Sequence, residues 1–154
     1  MPGMRGTHSA ARQKERTHIH RFYSLKNVII CIGNRFVEND AAGLDVLTCL
    51  EAMAPLPDSI ELVEGGLAGL SLLPLLEQGG RVVFVDSISR FAQPGEIVLF
   101  THQEIMDTMV DYHFDHGAGL VYLLTVLPKV CDGDLPEEIV LVGLEGECTA
   151  ERIE

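Results

Sequence analysis

"NVIICIGNRFVENDAAG", residues 27–43, opens on an uninterrupted apolar run, breaks into a polar loop with Glu38, Asn39 and Asp40, and restarts on small residues. Apolar residues without alternation predict a strand covered on both faces, as in a parallel sheet with helices above and below. The restart "AAGLDVLTCLEAM" carries Leu44, Leu47, Leu50 and Met53 at helical spacing, and Pro55 and Pro57 close it. The stretch is thus a strand, a loop and a helix, and the loop is where a ligand would sit.

Outward from this unit the pattern repeats. "SIELVEGG" reads as a second strand ending in a Gly-Gly turn, and "LAGLSLLPLLEQGG" as a helix that Pro74 must kink or start late. "RVVFVD" is a third strand closed by Asp86, and "GEIVLF" a fourth, reached through Pro94 and Gly95. "HQEIMDTMV" and "GAGLVYLLTVLPKV" are helices, and "EIVLVGLEGE" is the last strand. Strands alternating with helices predict an α/β fold, a three-layer α/β/α sandwich around a mostly parallel twisted sheet. In such sheets ligands bind outside the carboxyl ends of the strands, which puts Asp40 and Asp86 at one edge.

A chain of 154 residues fits one domain with its own core. Residues 1–26 carry six Lys/Arg against one acid, and residues 27–154 five against 22, a formal −17 for the body. The basic head, with His8, His18 and His20, reads as a disordered extension with no apolar segment of a signal peptide. Residues 27–154 form a single α/β domain. So acidic a body repels nucleic acid and anionic lipid and favours cations or a basic partner. No apolar run nears the roughly 20 residues that span a bilayer. Cys31, Cys49, Cys131 and Cys148 form no CxxC pair and lie in or beside apolar stretches. They read as small buried hydrophobes in a reducing cytoplasm.

The 33–43 loop has no GxGxxG and no GK[ST], and it offers acids where a phosphate wants amides and a lysine. A cation is the better guest. The body has three histidines, His102, His113 and His116, two of them just before the apolar helix of residues 117–130. The positive end of a helix dipole disfavours imidazolium and so keeps the neutral, metal-ligating form. Two carboxylates with one imidazole would make a borderline site for nickel, zinc or cadmium. Plainer roles stand beside this: Asp40 as an N-cap, Asp86 bonding a turn, His116 capping or packing. Gaps of 46 and 30 residues between them do not choose.

Taken in order, "IGNRFVENDAAG", "EGGLAG", "VVFVDSI", "DHGAGL" and "LVGLEGE" resemble the nickel-iron hydrogenase maturation endopeptidases, over about three-quarters of the chain. The resemblance implies a phosphorylase/hydrolase-like α/β sandwich. It implies an endopeptidase that removes a C-terminal peptide from the hydrogenase large-subunit precursor once nickel has been inserted. The family's nickel-binding trio, two acids and a histidine, falls on Asp40, Asp86 and His116. His116 is preferred to His113 because Gly119 and Leu120 continue the pattern after it. Asn39 stands where other members often carry a second acid.

On this reading the nickel arrives with the precursor, and zinc or cadmium could stand in for it. Asp40 is the candidate catalytic carboxylate, Gly33 and Gly43 let the chain turn tightly around it, and Gly65 and Gly66 present a second loop to the substrate. The partner is the large-subunit precursor, with no nucleic acid and no membrane insertion. The family's C-terminal helix has little room after "ECTAERIE". That motivates a non-catalytic protein that binds the nickel or the precursor as one alternative; a related germination-type protease of the same fold is the other.

Overall fold

In the computed structural model, residues 26–37, 40–53, 55–109 and 117–146 are described. The first apolar run forms β1, Asn27–Ile32, and pairs in parallel on both sides, with β2, Ile60–Gly66, and with β3, Arg81–Ile88. The next elements are β4, Ile97–Thr101, and β5, Glu138–Glu145. The sheet order is β2-β1-β3-β5-β4, with only β4 antiparallel. Four parallel strands therefore end at one edge, at Ile32, Gly66, Ile88 and Glu145.

Both faces of β1 and β3 are used, which is why their runs do not alternate. Val28, Ile30, Ile32, Val82, Phe84 and Ile88 point into the larger core. That core is closed by three helices: α2, Leu73–Leu76, α3, His102–Met109, and α4, Gly117–Val130. Leu120, Leu123, Leu124 and Leu127 form the buried stripe of α4. At about 2 kcal/mol for each buried leucine, the stripe contributes on the order of 8 kcal/mol before chain entropy is charged against it. On the opposite face Cys31 and Val85 meet Leu44 and Leu47 of α1, Ala42–Ala52.

The helix expected over residues 67–80 is much shorter. A 3-10 turn, Leu70–Leu72, leads into the single turn of α2, which has Pro74 in its first positions. Proline there lacks only an N–H that would have had no partner, so the helix starts late. Asp86 does not end β3; the strand continues two residues to Ile88, and Asp86 lies opposite Gly143 of β5. Further along α1 the expected stripe fades: Leu50 is half-buried and Met53 is exposed. Cys49 is also exposed, against expectation; Cys31 is buried, Cys131 is half-buried, and Cys148 lies outside the described residues.

Gly43 explains the tight seat of α1 on the sheet. A Cβ there would overlap the carbonyl oxygen of Ile32 and stand 2.7 Å from that of Val85. The first turn of α1 thus rests on the backbone of β1 and β3, at the edge where their following loops begin.

Candidate active site at the carboxyl edge

Asp40 closes the loop after β1. Its carbonyl accepts the N–H of Asn34 at 2.9 Å, and its own N–H donates to Val37 at 3.3 Å. The N-cap residue of α1 is Ala41, so Asp40 does not occupy the cap position that its place in the sequence allowed. Asp86, only 6% exposed, stands on β3, the strand beside β1. Its Oδ1 accepts the N–H of Ser87 at 2.8 Å. A carboxylate so far removed from water needs such donors.

The loop after β2 reaches the same edge. Gly33 donates its N–H to the carbonyl of Gly66 at 3.0 Å, so the two loops are joined directly. Gly66 has φ +55, a left-handed conformation that a side chain would strain. Gly65 instead lies where a Cβ would meet Cγ2 of Ile30 at 2.5 Å. α4 starts at this edge too, since its first turn packs against the backbone of Leu67 and Ala68. His113 and His116 lie outside the described residues, as do Glu38 and Asn39. Among the described residues no three His, Cys, Asp or Glu side chains group as a metal site.

His102 is elsewhere. It lines a cavity of about 400 Å³ with Leu124, Leu127, Pro128, Leu135 and Ile139, at the edge where β5 begins. That cavity holds neither Asp40 nor Asp86.

Glu145, the last residue of β5, went unnoticed in the sequence. It is 5% exposed. Its Oε1 accepts the N–H of Arg90 at 2.6 Å, and its Oε2 accepts those of Phe91 at 2.9 Å and Ala92 at 3.3 Å. Three amides aimed at one buried carboxylate fix the loop that follows β3, and Arg90 is held there at φ +75. The sequence offers only an acid at the end of the last apolar run; the fold sets it in register with Ile88.

Deeper along β1, the thiol of Cys31 is raised to about 11 by burial, with a smaller contribution from Glu51. It stays protonated at neutral pH and is a packing group rather than a ligand or nucleophile.

The fold and the sequence both find relatives. A model of the hydrogenase maturation protease family matches residues 44–153. Hydrogenase 2 maturation protease of Escherichia coli K12 is 26% identical over 121 residues, covering 78% of this chain and 73% of its own. The hydrogenase expression/formation protein HupD of Rhodobacter capsulatus is 30% identical over 122 residues, 77% of this chain but 56% of that longer protein. The solved structure of the hydrogenase maturating endopeptidase HybD from E. coli superposes with a TM-score of 0.69 at 26% identity, covering 78% of this chain and 74% of the other. In none of the described helices is there a segment long and apolar enough to cross a membrane. With the carboxyl-edge acids on an α/β sheet and a family match over more than two-thirds of its length, the chain belongs to the hydrogenase maturation proteases.

Proposed function

We propose that this protein is the endopeptidase that removes the C-terminal peptide from the nickel-loaded large-subunit precursor of a nickel-iron hydrogenase. The observation that carries the proposal is the family membership, joined to two acids at one edge of the sheet, Asp40 in the loop after β1 and Asp86 on the neighbouring strand β3. The nickel belongs to the substrate. Asp40, Asp86 and His116 are the side chains proposed to take hold of it, with zinc or cadmium as stand-ins, and the oxygen-rich set suits a borderline divalent ion.

Holding the precursor's metal would position the scissile bond against the enzyme, and an unfilled precursor would lack that docking free energy. Asp40 is proposed as the base that takes a proton from the attacking water, which needs only an ionised carboxylate within one water of the bond. Gly65 and Gly66 border the path of the extended substrate. The reaction is assigned to the reducing cytoplasm, where Cys31, Cys49 and Cys131 remain free thiols.

The test is cleavage of purified large-subunit precursor with and without nickel, followed by mass spectrometry of the released peptide. The wild type should shorten only the nickel-loaded form, and Asp40→Asn, Asp86→Asn and His116→Ala should each abolish it. Equal cleavage of the nickel-free precursor, or full activity in the three variants, would refute the assignment.

A further inference from the structure

Phe36 is 98% exposed, in the middle of the loop that carries Asp40. That exposure is built into a braced turn. Oδ1 of Asn34 accepts the N–H of Phe36 at 2.9 Å, and the Asn34 carbonyl accepts that of Val37 at 3.1 Å. Val37 beside it is exposed as well.

The loop after β2, tied to this one through Gly33 and Gly66, also turns apolar side chains outward: Leu67, 54% exposed, and Leu70. Its backbone is locked from beneath. Ala68 is fully buried at φ +54, and a Cβ on Gly119 of α4 would stand 2.9 Å from the carbonyl oxygen of Leu67. Two loops joined by a backbone hydrogen bond thus carry four solvent-facing apolar residues at the edge that also carries Asp40. Clustered apolar groups next to a reaction site mark the place where a partner is desolvated.

We propose that Phe36, Val37, Leu67 and Leu70 form an apolar rim that takes apolar side chains of the precursor's C-terminal segment beside the bond to be cut. The inference rests on the processing reading above. The precursor is the fitting occupant because the rim is continuous with the loop of Asp40. A second copy of this chain is disfavoured by the repulsion between two chains each carrying a formal −12.

The experiment compares wild type with Phe36→Ser, Leu67→Ser and the conservative Phe36→Leu, using nickel-loaded precursor. Leu99→Ser, at another exposed apolar site, on β4, serves as control. Steady-state cleavage and calorimetric association are measured, with thermal melts to confirm the fold. Phe36→Ser and Leu67→Ser should each raise KM and weaken association about tenfold, with kcat within about twofold of wild type. Phe36→Leu should restore most of the loss, and Leu99→Ser should change nothing.

Unchanged KM and association in both serine variants would overturn the proposal. So would a wild-type dimer that Phe36→Ser dissociates without altering KM. If wild type binds but cleaves no precursor, the processing reading fails while the rim is still judged by association: weakening in Phe36→Ser supports it, and no weakening overturns it. Absence of any association overturns both.

Discussion

Replacing Glu145 by glutamine isolates what a buried carboxylate does for the loop after β3. In the wild type one oxygen serves Arg90 at 2.6 Å and the other serves Phe91 and Ala92 at 2.9 and 3.3 Å. An amide of the same shape has one oxygen and one NH2, so whichever way it turns, at least one backbone N–H faces another donor. The better orientation keeps the oxygen on Phe91 and Ala92 and loses the shortest bond. Losing a charge-assisted bond costs about 2 kcal/mol, and the two surviving bonds weaken when the charge goes, so about 3 kcal/mol is expected in total. In a domain of this size that lowers Tm by about 6–12 °C. Urea unfolding should show a lower midpoint at constant slope. Glu138→Gln, at the exposed start of the same strand and ion-paired with Arg81 at 3.0 Å, should cost under about 1 kcal/mol. If Glu145→Gln came within about 0.5 kcal/mol of wild type, the carboxylate would not be what holds the loop.

Gly43→Ala should destabilise by more than about 3 kcal/mol, read by the same urea curves, because the colliding atoms are strand carbonyls that cannot rotate away. Arg90→Gly should raise stability by about 0.5 kcal/mol by relieving the left-handed backbone at φ +75; a loss instead would mean that the Arg90 side chain contributes more than its strain costs. With its thiol raised to about 11, Cys31 should resist iodoacetamide at pH 8 in the folded protein while exposed Cys49 is alkylated, as peptide mass mapping would record. The same shift has a sign for folding. The unfolded thiol ionises near its ordinary value of 9.0 while the folded one holds its proton, so Cys31 contributes its full stability below pH 9 and loses it as pH climbs towards about 11.

The elements whose residues all served one purpose were legible in the sequence. α4 runs over the 14 residues expected of it because its leucine stripe carries the larger core, and β1 reads as a two-faced strand because both its faces are covered. Over residues 67–80 the late start was legible from Pro74, but the shortness of the helix was not, because Leu70, Leu72, Leu73, Leu75 and Leu76 suit a longer one while Leu70 in fact turns outward. The direction of β4 was invisible, since four apolar residues and a threonine carry no arrow; its antiparallel course follows from eight connecting residues, too few for a helical crossover. At the site, Asp40 and Asp86 could be assigned to one edge because one follows an apolar strand and the other interrupts one, at the carboxyl ends of a parallel sheet. Glu145 escaped notice because it resembled any acid that ends a strand, and only the fold shows the three amides it serves.

β5 lies between β3 and β4, though both precede it in the chain. Until residues 138–145 have left the ribosome, β3 has a bare edge and β4 lacks its only described neighbour. The sheet therefore closes by insertion of the last of its described strands, after the other four have been synthesised. Nascent chains stalled before that point would expose two unpaired edges to chaperones and to one another.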